Sequence, residues 1–211
     1  ARIRGNSRLS IRPEDGTVAE TLRSAGYRTA LIGKWGLGED GSKGMPNAKG
    51  YDHFFGYLTQ SHAHNYYPEF LWRNGDKAPL RNEVVHAKGR DGKPRLSGAA
   101  TKRVDYSADL CAAEAVAFIR ENRDRPFFLY YATTLPHANN EARLAKRHGM
   151  EVPDYGIYAK EDWPDAQKGH AAMITRLDTH VGQMLSTLKE LGLDRRTLVI
   201  FTSDNGPHRE G

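Results

Sequence analysis

Three stretches constrain this chain more than any others: "YRTALIGKW" (residues 27–35), "RPFFLYYATTLPH" (125–137) and "TLVIFTSDNG" (197–206). Each contains an apolar run without polar alternation. A strand with one wet face alternates, so such runs read as strands covered on both faces, the pattern of a parallel sheet lying between helices. Each stretch also ends in residues that turn a chain or do chemistry: Lys34, Pro136-His137, and Asp204-Asn205-Gly206. An Asn-Gly after a strand is first of all a turn signal, since both residues tolerate positive φ.

Between these runs the helical signals are clear. "TVAE" (17–20) is a capping box opening a short helix that Gly26 closes. From Asp105 to Asn122, Tyr106, Leu110, Ala113 and Ala117 keep helical spacing. From Asp165 to Leu191, Met173/Ile174, Leu177, Val181, Met184/Leu185, Leu188 and Leu191 make one stripe, closed by Gly192. The expected class is α/β, a mostly parallel central sheet sandwiched by helices. Residues 36–100 are looser and read as a loop and hairpin excursion from that sheet, with turns at Asn74-Gly75-Asp76 and in "GRDGKPR". In such sheets ligands bind beyond the carboxyl ends of the strands, which sets Lys34, His137 and Asp204/Asn205 on one rim.

Composition excludes several classes. The longest apolar run, 127–132, is far below the ~18 residues of a membrane span. The net charge of +5 arises from scattered basic residues balanced by 26 acids, which argues against a nucleic-acid face. The single cysteine, Cys111, sits in an apolar helical pattern and reads as a core thiol, excluding an internal disulfide. "GLGEDG" (36–41) matches a dinucleotide-binding spacing, but the Pro- and Gly-rich sequence after it cannot start the helix that would face a pyrophosphate.

The remaining candidates suit an ester of a strong oxyacid. Lys34 would be a fixed cation and His137 a general acid for the leaving alkoxide. Asp204 and Asn205 supply hard oxygen ligands suited to Ca²⁺ or Mg²⁺. His62 and His64 in "SHAHNYYPEF" would share a face on a strand, but without a third ligand they read as loop residues lining a pocket.

"GYRTALIGKWGLG", "RPFFLYYATTLPH" and "TLVIFTSDNGPH", in that order, resemble segments of the sulfatases, formylglycine-dependent sulfate-ester hydrolases of the alkaline-phosphatase-like superfamily. "RPEDGTVAETLRSAGY" and "AAMITRLDTHVGQMLSTLKELGL" resemble helices of that family. The resemblance implies a partial sulfatase catalytic domain over 1–211. Lys34 would contact the sulfate and the nucleophile, His137 would assist departure of the alcohol, and Asp204 and Asn205 would bind Ca²⁺ or Mg²⁺. His64, Tyr66 and His208 are expected as substrate contacts, the substrate being a sulfated small molecule or carbohydrate. The family's usual G-K-W-H is here "GKWG", so the histidine's place is taken by Gly36, and that contact is missing or supplied elsewhere. The nucleophile's C-x-P-S-R motif and an N-terminal Asp pair are expected outside this chain, which reads as an internal slice that is inactive alone. The resemblance also implies a periplasmic or secreted parent. A phosphodiester or phosphonate hydrolase of the same superfamily, or a non-catalytic binding relative, is the alternative.

Overall fold

The computed structural model describes residues 9–89 and 91–206. Across its larger sheet lie, in order, β4 (Asp76–Pro79), β3 (Phe70–Arg73), β2 (His53–Tyr57), β1 (Arg28–Lys34) and β7 (Phe127–Ala132). A separate hairpin is formed by β5 (Glu83–Lys88) and β6 (Pro94–Lys102). β1 pairs parallel with both β2 and β7, while β3 and β4 extend the sheet antiparallel. The carboxyl ends of β1, β2 and β7 therefore share one rim.

The side chains of β1 alternate between two cores. Ala30 and Ile32, with Phe55 and Tyr57 of β2, meet Cys111, Ala115 and Phe118 of α2 (Ser107–Glu121). Leu31 and Phe54 turn the other way, toward Ala19 of α1 (Val18–Ser24) and Trp72. Both faces are dry, as the unbroken apolar run required, and each fully buried Leu, Ile or Phe contributes about 1.5–3 kcal/mol. α1 begins on the expected capping box: the Thr17 hydroxyl accepts from Glu20 N–H at 3.1 Å, and the Glu20 carboxylate accepts from Thr17 N–H at 2.8 Å. Burial raises the Cys111 thiol to about 12, so it is inert in the core.

α3 (Asp165–Glu190) lies along α2 and reaches β7, with Met184 and Leu188 in a cluster that includes Ile119, Phe127 and Leu129. Its apolar stripe is only partly used. Met173 is fully buried beside Tyr66, Tyr106, Leu135 and Met150, whereas Ile174 and Leu185 face outward. Among the described residues no helix is long and apolar enough to cross a membrane.

Two expectations are corrected. Residues 36–100 are not simply an excursion, because β2 lies inside the sheet and β3 and β4 continue it; the turns at Asn74-Gly75 and Gly89–Lys93 do close hairpins. The third apolar stretch is not a strand. It pairs with nothing among the described residues and leaves Leu198 85%, Ile200 77% and Phe201 74% exposed. An apolar run favours burial, but only a ladder partner makes a strand.

At the far end of the sheet, Glu114 of α2 binds the strands. It accepts from His53 Nε2 at 2.8 Å and from both terminal nitrogens of Arg73, one at 2.8 Å. Burial pushes its carboxyl up, but the hydrogen bonds from His53 and Arg73 outweigh that and hold it at about 2. A carboxyl lowered in the folded state stabilises fully above its ordinary value of 4.5, and the contribution disappears as pH falls from there toward about 2. Urea midpoints measured between pH 7 and pH 2 should fall more steeply for the wild type than for Glu114→Gln. Parallel slopes would show that Glu114 does not carry the acid sensitivity.

Candidate active site at the sheet rim

Lys34 is the last residue of β1, and the pairing of β1 with β2 continues past it. Trp35 N–H donates to Tyr57 O and Gly36 N–H to Leu58 O, each at 2.9 Å. The lysine is thus anchored on both sides and projects at the rim with its side chain three-quarters buried. Its Nζ lies 3.9 Å from Asp204 Oδ2. This is an ion pair without a hydrogen bond, and Asp204 is well exposed, so the contact adds little stability. It does bring together two of the expected functional residues, although Asp204 arrives in a bend of an irregular segment and not on a strand.

Gly36 has φ +80, a left-handed conformation, and a Cβ there would lie 3.1 Å from the Gln60 side chain. A histidine at this position would be strained.

His137 follows β7 in a turn where Leu135-Pro136 is cis. Its backbone N–H donates to Thr134 O at 2.9 Å. The ring's Nδ1 lies 2.7 Å from Ala138 O; a carbonyl can only accept, so Nδ1 carries the proton and Nε2 is the working nitrogen. Parallel to this ring, at 5.3 Å between centroids and 10° between planes, stands His64. His64 Nδ1 is 3.0 Å from Glu141 Oε2, and an ionised carboxylate makes it the donor in turn.

His62 and His64 do not share a face. They lie on a 3₁₀ turn after β2 that sends His62 into the core between Tyr57 and Phe70, where burial lowers it to about 3. His64 alone reaches the rim. Tyr66, expected as a substrate contact, is fully buried. Its hydroxyl proton is shared between Thr134 O and His137 O, each at 2.7 Å, so it props the His137 turn from below. His208 lies outside the described residues.

Sequence reasoning missed what holds these loops together. Glu151, 1% exposed, receives Arg103 Nη2 on one oxygen at 2.7 Å. The other oxygen receives Asn139 Nδ2 at 2.9 Å and Tyr66 N–H at 3.3 Å. Asn139 Oδ1 accepts from Glu141 N–H at 3.0 Å. One buried carboxylate thus joins the loops that follow β2, β6 and β7. The only signal for it in the sequence is a glutamate between two apolar residues, "MEV" (150–152).

Asp204 and Asn205 offer a carboxylate and an amide oxygen, a donor pair that fits a hard cation. Ca²⁺ takes six to eight oxygens, however, and among the described residues no three His, Cys, Asp or Glu side chains gather as a metal cluster. The pair is thus compatible with a share of such a ligand set.

Comparison with known proteins identifies the family. The family model described as Sulfatase matches residues 8–211. An N-acetylgalactosamine-6-O-sulfatase of Bacteroides thetaiotaomicron is 27% identical over 246 residues, covering 96% of this chain and 45% of the relative. Arylsulfatase A of Homo sapiens is 30% identical over 217 residues, covering 96% of this chain and 38% of the relative. Among solved structures, that of Ps i-CgsB in complex with k-i-k-neocarrahexaose superposes with a TM-score of 0.65 at 20% identity, over 89% of this chain and 39% of the other. The chain spans less than half the length of these relatives. Its fold is that of the sulfatases, a mixed sheet with helices on both faces. With a family match running from residue 8 to residue 211, the chain belongs to the sulfatase family.

Proposed function

We propose that the complete protein hydrolyses a sulfate ester of a carbohydrate. The observation that carries this reading is the meeting of Lys34 and Asp204 at 3.9 Å, in a chain matched by the sulfatase family model from residue 8 to residue 211. The relative named for N-acetylgalactosamine-6-O-sulfatase activity and the structure holding a neocarrahexaose favour a sugar over a simple aryl ester.

The reaction breaks the bond between sulfur and the ester oxygen, and the departing alkoxide needs a proton. As an imidazolium His137 would give it: Ala138 O retains the Nδ1 proton, so the second proton leaves from Nε2 and the ring becomes neutral. Lys34, held three-quarters buried, balances charge on the non-bridging sulfate oxygens, and an ammonium there is worth more than one in free solvent. Asp204 and Asn205 would hold Ca²⁺, or Mg²⁺, together with ligands from elsewhere; when bound, the ion draws electron density from the sulfate oxygens. Cys111 is excluded as nucleophile by its burial. In this reading the nucleophile, a formylglycine, comes from sequence beyond these 211 residues.

The test is an assay of the complete gene product, its formylglycine content verified by mass spectrometry, against sulfated monosaccharides, an aryl sulfate and an aryl phosphodiester. Sulfate release from the sugars is expected to dominate, and chelation should abolish it while lowering the thermal midpoint. Faster cleavage of the phosphodiester, or no sulfate release from protein carrying formylglycine, would overturn the reading.

A further inference from the structure

We propose that His64, oriented by Glu141, accepts a hydrogen bond from a substrate hydroxyl next to the sulfate ester, and so selects polyhydroxyl substrates. This rests on the sulfate-ester reading and adds the group that recognises the alcohol portion. The starting point is the parallel pair of imidazoles at the rim, 5.3 Å between centroids. Both rings have Nδ1 committed, that of His137 to Ala138 O and that of His64 to Glu141 Oε2. In the neutral ring a proton held on Nδ1 leaves Nε2 as an acceptor. With Nδ1 committed in both, the two parallel rings address neighbouring atoms of one ligand through Nε2, His137 as the imidazolium that gives a proton and His64 as the neutral ring that accepts a hydrogen bond. His137 meets the ester oxygen; His64 meets the atom beside it, and an acceptor there calls for an O–H.

Glu141 is not a casual surface partner. Its backbone N–H is held by Asn139 Oδ1, and Asn139 is 2% exposed and tied to the buried Glu151. The carboxylate stands four-fifths buried beside His64. A fixed carboxylate behind an imidazole sets the tautomer, which a solvated one would not. Gly36 adds a second reason. Its backbone conformation disfavours a histidine at that position, and its N–H pairs with Leu58 O at the start of the loop that carries His64. The rim's second imidazole therefore comes from the loop after β2, on the side where the alcohol portion of the substrate must lie if His137 protonates it.

A site that hydrogen-bonds a substrate hydroxyl discriminates strongly against an analogue lacking it. The complete protein is assayed with a sulfated monosaccharide carrying a free hydroxyl beside the ester, the same sugar deoxygenated at that carbon, and an aryl sulfate. His64→Ala should lower kcat/KM for the hydroxylated sugar about 10- to 100-fold more than for the other two esters, so that the preference for the hydroxyl collapses. Glu141→Gln, whose amide oxygen can still accept from Nδ1, should keep most of that preference, while Glu141→Leu should lose it. Equal losses on all three esters in His64→Ala, or a preference unchanged by it, would overturn the assignment. A wild type that releases no sulfate from any of the three would instead defeat the sulfate-ester reading beneath it.

Discussion

Gly33→Ala is expected to cost the fold about 4 kcal/mol or more, enough to lower the urea midpoint sharply or to prevent accumulation of folded protein. Gly33 sits one residue before Lys34 at φ +118, a region that L side chains rarely adopt. A Cβ there would lie inside the carbonyl oxygen of Ala132, the residue opposite it on β7. The obstacle is backbone, which cannot rotate away as the end of a side chain can. Gly56 on β2 is in the same position relative to the Gly33 carbonyl. Three strands therefore close on each other at this level through two glycines, and the methyl group would wedge β1 from β7 beneath the rim. Chemical denaturation checks it, with Gly26→Ala as the comparison: that glycine also has positive φ, but an added Cβ there meets nothing within 4 Å. Similar losses in both variants would show that conformational strain, and not the close approach, sets the cost.

Arg103→Ala should destabilise by about 3–5 kcal/mol, because it leaves the carboxylate of Glu151 buried without its cation. The guanidinium also stands 4.9 Å from the centre of the Tyr67 ring, and the truncation removes that cation–π attraction as well. The informative comparison is the double variant Arg103→Met/Glu151→Leu, which removes both charges. Replacing a buried pair with apolar groups often recovers stability, so the double variant should be more stable than Arg103→Ala. It should nevertheless lose order at the rim, since Asn139 and Tyr66 N–H lose their acceptor. Thermal midpoints measure the first effect and hydrogen exchange of residues 134–141 the second. A double variant no more stable than the single one would mean that the carboxylate's other hydrogen bonds, and not the charge pair, carry the energy.

The centre of the fold is readable from the sequence where one residue pattern has one physical explanation. The run of β1 is dry on both sides because α1 and α2 cover it, and the capping box of α1 and the closing glycines stand where the pattern puts them. β2 escapes such a reading because "HFFGY" is five residues long, holds a glycine and lies among turn residues. The stretch 197–206 misleads for the opposite reason. Its composition suits a buried strand, but pairing is a property of two segments, and no described segment meets it. At the rim, Lys34, His64, His137 and Asp204 are visible as chemical types at or near the ends of apolar runs. Glu141 and Asn139 are not, because "HANNEAR" (137–143) carries no periodicity and nothing local reveals that the amide of Asn139 reaches a glutamate twelve residues on.

The sheet's central pairing sets an order of events for a chain leaving the ribosome. Arg28 of β1 lies opposite Phe127 of β7, so β1 stays without that neighbour until the whole intervening length, both hairpins and α2 included, has been synthesised. The hairpins β3–β4 and β5–β6 close over short loops and form early, while the strand that carries the lysine waits. Until β7 arrives, one edge of β1 has no ladder partner and stays open to pairing with another chain, even after α1 and α2 can cover its faces.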